Sequence, residues 1–127
     1  MNQILHIGIS VAGLDRTVAW YGNWFGFRET KRFEKAELEI RGAVIELGGL
    51  AIEVLAPFTP VLRAADTGLV PALRRCGVNH IAFGVDDAAA TYTRFHSSGV
   101  TMVSELIGGR MFFCTDPDGT LLEIRGV

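Results

Sequence analysis

Two stretches of the chain alternate large apolar residues with polar or small ones. In residues 4–11, ILHIGISV, one set is Leu5, Ile7, Ile9 and Val11, and the other is Ile4, His6, Gly8 and Ser10. In residues 78–85, VNHIAFGV, the sets are Ile81, Phe83 and Val85 against Val78, His80, Ala82 and Gly84. A period of two predicts a strand with unlike faces. Each stretch is followed by an apolar stripe at i, i+4, i+7: Leu14, Val18 and Tyr21, then Ala88, Tyr92 and Phe95. That spacing predicts an amphipathic helix. Asp15 in the first helix and Asp86 or Asp87 in the second suit the N-cap or first turn, and Gly26 and Gly99 suit the ends.

The pattern occurs twice. HIGISV at 6–11 matches HIAFGV at 80–85, and GLAIEV at 49–54 matches GTLLEI at 119–124. Gly48-Gly49 has the composition of a two-residue hairpin loop, and Asp116-Pro117-Asp118-Gly119 that of a type I turn. Further strands fit about residues 27–33 and 38–47 in the first half, and 100–106 and 110–115 in the second. The expected fold class is α+β: two tandem βαβββ modules in one domain, module 1 over about 1–56 and module 2 over about 78–127. A linker over about 57–77, with Pro57 and Pro60 at its start, carries a short helix near Leu69–Cys76.

Composition removes several function classes. Lys plus Arg total 12 against 14 Asp plus Glu, with only Lys31 and Lys35 as lysines, so no polybasic stretch points to nucleic acid. No apolar run approaches the roughly 20 residues of a membrane span, and the N-terminus lacks leader features. Cys76 and Cys114 form no CxxC pair, which suits a reducing compartment. A cytoplasmic protein without nucleic-acid or membrane partners is expected.

Four residues stand out against this background. His6 and His80 occupy matching places in the first strand of each module, with small neighbours Gly8 and Ser10, or Ala82 and Gly84. Glu53 and Glu123 sit inside apolar strands, AIEVL and LLEIR, where a carboxylate is costly unless paired or bound to a cation. Singly, each reads as an ordinary structural or solvent-facing residue. Repeat-matched, and with the modules packed as a pseudo-symmetric pair, they predict a mixed N/O site for one divalent ion: Zn, Ni, Co, Mn or Fe(II).

At these residues the chain resembles the vicinal oxygen chelate superfamily, which includes glyoxalase I, methylmalonyl-CoA epimerase, extradiol dioxygenases and the fosfomycin and bleomycin resistance proteins. The resemblance rests on HIGISV–GLDRTVAWYGNWFGF, IELGGLAIEVLAP, VNHIAFGVDD and DPDGTLLEI. It implies a cupped mixed sheet, a homodimer, and His6, Glu53, His80 and Glu123 as metal ligands. A ligand at Glu53 is similar to the lyase and isomerase branch, which moves a proton beside a metal-bound carbonyl through an enolate-type intermediate. Glu53 and Glu123 are then the candidate bases, acting on a small substrate with vicinal oxygens or a carbonyl. An iron-dependent dioxygenase and a metal-free drug-binding protein are the alternatives. The motifs that accompany glutathione or coenzyme A in relatives are not evident.

Arg125, two residues from Glu123 and on its face, is a candidate for a substrate carboxylate or phosphate. Glu37, Glu39 and Arg41 read as one strand face, which makes Arg41 a second substrate-binding candidate. Arg110 is a third cation of that kind.

Overall fold

The computed structural model describes residues 1–127. In chain order the elements are β1 (Ile7–Ser10), α1 (Leu14–Phe25), β2 (Arg28–Lys35), a single 3₁₀ turn (Ala36–Leu38), β3 (Ile40–Leu47), β4 (Leu50–Pro57), α2 (Leu69–Arg74), β5 (Ile81–Val85), α3 (Ala88–Ser97), β6 (Met111–Thr115) and β7 (Leu121–Gly126). The class is α+β, as expected. The chain forms two compact units, Met1–Leu62 and Arg63–Val127. The expected linker is therefore divided: its prolines fall in the first unit and α2 in the second.

In the first unit the sheet order is β1-β4-β3-β2, with β1 parallel to β4 and the other pairs antiparallel. Gly48 and Gly49 both have positive φ, 53° and 87°, as a two-residue hairpin between twisted strands requires. Helix α1 packs on β3 and β4. It buries Leu14, Thr17 and Tyr21, so Thr17 rather than Val18 completes the stripe. Beneath it lie Ala43, Ile45, Ile52 and Val54, all fully buried, while Tyr21 meets Phe27 edge-on at 5.6 Å. The other sheet face carries Glu53 with its β3 neighbour Val44. Further along that face the Phe33 ring lies over Gly42, where any Cβ would collide with it. Lys31 and Lys35 flank Phe33 on β2, an edge strand, and lysine discourages edge-to-edge pairing there.

In the second unit the order is β5-β7-β6, with β5 parallel to β7. Asp87 caps α3, its side chain accepting from the Ala90 N–H at 3.0 Å. Phe95 of α3 meets Phe112 of β6 edge-on at 5.8 Å. The opposite face is also covered: Leu69 and Ala72 of α2 pack with Phe113, Leu121, Val103 and Met111. The turn before β7 forms as its composition indicates, with the Gly119 N–H donating to the Asp116 carbonyl at 3.1 Å. Buried Asp116 also accepts from the Asp118 and Thr120 N–H groups.

Two strand expectations need correction. The segment expected as a strand over 100–106 runs beside β6 but makes only isolated bridges, Met102 to Cys114 and Ile107 to Met111. The cause is local. The Val103 and Ser104 N–H groups both donate to the Phe113 carbonyl, and the Phe113 N–H donates to the Ser104 hydroxyl, so a side chain replaces a ladder carbonyl. In the first unit, residues 36–38 form the 3₁₀ turn and Glu39 takes a left-handed φ of 55°. Glu37, Glu39 and Arg41 thus do not alternate along one strand.

Candidate functional site

Each unit presents one histidine and one glutamate by the same construction. His6 and His80 immediately precede β1 and β5, the parallel edge strands, rather than lying inside them. The residue two places on, Gly8 or Ala82, lies opposite Glu53 or Glu123 on the neighbouring strand. A glutamate thus reaches along the sheet toward its histidine. His6 Nε2 stands 3.6 Å from Glu53 Oε1, and His80 Nε2 stands 3.2 Å from Glu123 Oε2.

The two pairs differ in setting. In the first, Glu53 is 27% exposed, has His6 as its ion-pair contact and lacks an arginine partner. A Cβ at Gly8 would meet nothing, so the expected space beside that histidine exists. In the second, Glu123 is 10% exposed, and Arg125 holds its Oε1 from Nη2 at 2.7 Å and Nε at 3.2 Å. His80 meets Phe113 edge-on at 5.6 Å, next to the cover provided by α2. Gly84 is not open space: a Cβ there would meet the Val127 side chain at 3.0 Å.

Asn79, which no repeat or spacing in the sequence singles out, completes the second pair. Its Oδ1 lies 2.8 Å from His80 Nδ1, and its Nδ2 donates to the Ala72 carbonyl at 3.0 Å. The adjacency of Asn79 and His80 was visible in the chain. The carbonyl that orients the amide was not, because it comes from α2.

The donor chemistry and spacing fit a divalent ion. Imidazole nitrogen and carboxylate oxygen are common ligands, and two such atoms each about 2.1 Å from an ion at a tetrahedral angle lie about 3.4 Å apart. The separations of 3.6 and 3.2 Å bracket that value. Neither unit gathers a third His, Cys, Asp or Glu around its pair.

The remaining candidates fall elsewhere. Arg125 shares the Glu123 face, as expected, but its guanidinium is engaged with that carboxylate. Arg41 does not lie with Glu53. It pairs with Ala56 across β3–β4, on the α1 face of the sheet, because it alternates in step with the buried Ala43 and Ile45. There it donates to Glu34 at 3.0 Å and stacks over Phe58. With Arg32, Asp15, Pro57 and Phe58 it lines a cleft of about 310 Å³ at the start of α1, on the far side of the sheet from Glu53. Arg32 in that cleft is bound to both Asp15 and Glu29, which raises its pKa and lowers that of Glu29.

Comparison with known proteins places the chain in a family. The model of the Glyoxalase/Bleomycin resistance protein/Dioxygenase superfamily matches residues 3–124. A lactoylglutathione lyase of Haemophilus influenzae is 30% identical, over 95% of this chain and 90% of its own. An uncharacterised protein of Bacillus subtilis is also 30% identical, over 96% of this chain and 95% of its own. Among solved structures, glyoxalase I of Leishmania major superposes with a TM-score of 0.80 at 22% identity, covering 99% of this chain and 87% of that one. A fosfomycin resistance protein of Listeria monocytogenes superposes with a TM-score of 0.70 at 22% identity, covering 100% and 92%. At such identities the structural likeness speaks to the fold. No helix is long and apolar enough to cross a membrane. By the family model's span over nearly its whole length, the chain belongs to the Glyoxalase/Bleomycin resistance protein/Dioxygenase superfamily.

Proposed function

We propose that the protein is a divalent-metal-dependent lyase or isomerase of glyoxalase type, with His6, Glu53, His80 and Glu123 as the ion's protein ligands. The observation that carries this is the repeated His–Glu pair, built the same way in both units at ligand-like spacing. Relatives named as lactoylglutathione lyases support the choice of reaction class. The ion, when bound, supplies Lewis acidity toward a substrate carbonyl.

The chain's own residues then divide the work. Glu123 is anchored by Arg125 and buried, which suits a fixed donor. Glu53 has no such anchor and is more exposed, which suits a carboxylate that takes a proton from the carbon beside a carbonyl and returns it to a neighbouring position. His6 and His80 serve as neutral nitrogen donors. Arg125 orients Glu123 and, being half-exposed, is available to an anionic substrate group. A homodimer belongs to the same reading.

Metal analysis and solvent deuterium exchange test the proposal. The purified protein, reconstituted with Zn, Ni, Co, Mn or Fe(II) in turn, is expected to hold about one ion per four-ligand set and to catalyse exchange into 2-oxo or thioester substrates. Glu53→Gln should lower exchange by about 10²–10⁴-fold while retaining the ion more fully than Glu123→Gln does. Negligible metal uptake, or exchange intact in both variants, would sink the reading. Oxygen-dependent ring cleavage that survives Glu53→Ala would instead identify a dioxygenase.

A further inference from the structure

We propose that Asn79 is a positioning residue that holds His80 in the tautomer with its proton on Nδ1, leaving the Nε2 lone pair directed at Glu123. The Ala72 carbonyl can only accept, so the Asn79 atom 3.0 Å from it must be the amide nitrogen. The atom facing His80 is then the amide oxygen, which also can only accept. The His80 nitrogen 2.8 Å away must therefore be the donor, and in a neutral ring the other nitrogen, Nε2, carries the lone pair.

That lone pair lies 3.2 Å from Glu123 Oε2, another acceptor, while Glu123 Oε1 is already held by Arg125. Without Asn79, the neutral ring would relieve this by moving its proton to Nε2 and donating to Glu123. Asn79 opposes that move and keeps two electron-pair donors aimed at one place, where a cation is the natural third member. The device belongs to the second module alone. The matching position before His6 is Leu5, which has no side-chain acceptor and is exposed. Because the amide is itself held by α2, the seating of that short helix sets the angle of the histidine ring.

The inference rests on the proposed metal reading for its purpose but not for its test. Ring-nitrogen NMR of the full-length, metal-free protein, at a pH where His80 is neutral, reads the tautomer directly; the chain has three histidines, and His80→Gln assigns the signals. The wild type is expected to show Nδ1 protonated and Nε2 bare. Asn79→Ala should shift the population toward protonated Nε2 and weaken Zn(II) or Co(II) binding by about 10–100-fold. An unchanged far-UV circular dichroism spectrum and a cooperative unfolding transition in Asn79→Ala guard against mistaking misfolding for the effect. A wild-type ring protonated on Nε2, or an Asn79→Ala protein with unchanged tautomer, would overturn the proposal. A wild-type protein with the stated tautomer and no metal affinity would instead sink the metal reading while upholding this one.

Discussion

Glu53 and Glu123 hold equivalent places in a repeated strand, yet their neighbours hold them differently. Arg125 neutralises and fixes one oxygen of Glu123. Removing it by Arg125→Ala leaves a largely buried carboxylate short of a hydrogen-bonded cation, so the expected outcome is a loss of stability, about 1–3 kcal/mol by denaturant titration. Equal stability of the two proteins would contradict the arrangement. The cysteines are distinguished in the same way. Burial, with a smaller contribution from Asp116, pushes the Cys114 thiol up to about 12 from the usual 9.0. A raised value means the fold favours the neutral thiol. Its stabilising contribution is full below pH 9 and is lost as pH rises toward 12. Thiol reagents at neutral pH should modify exposed Cys76 rapidly and Cys114 only on unfolding; two fast-reacting thiols would show the Cys114 environment to be wrong.

Elements formed where several local signals agreed. Helix α3 has its apolar stripe, its Asp87 cap and the positive-φ Gly99 just beyond its end. Asp87→Ala should cost about 1 kcal/mol, visible as a lowered unfolding midpoint with an unchanged slope. The segment beside β6 shows the opposite case. The room between α3 and the turn at Asp116 suggested a strand there, but Ser104 inserts its hydroxyl where a ladder carbonyl belongs. Ser104→Ala would leave the Phe113 N–H without that partner and should destabilise by about 1–3 kcal/mol. A neutral result would mean that water or a re-formed ladder satisfies the group. Helix α2 was legible as a short helix, but not as the cover over Phe113 and Leu121, because covering a sheet face is a long-range contact.

For the whole molecule, a ligand that binds only the folded chain must stabilise it. At an ion concentration 100-fold above the dissociation constant the gain is about 2.7 kcal/mol. Thermal unfolding with and without the bound ion should therefore shift upward by several degrees, and the shift should vanish in His80→Ala. An unchanged midpoint across all five candidate ions would contradict a folded-state metal site.

The sequence by itself determined the duplicated α+β plan, the turns at Gly48-Gly49 and Asp116–Gly119, and the matched positions of His6, Glu53, His80 and Glu123. All of these rest on short-range information: side-chain period, turn residues and repeat spacing. Tertiary structure decided that Arg125 clamps Glu123 and that Arg41 turns to the α1 face. It also decided that Asn79 orients His80 through the Ala72 carbonyl. Each of these depends on which sheet face a helix covers, or on which group from another part of the chain meets a polar side chain. Those contacts exist only once the chain has folded, so no local pattern encodes them.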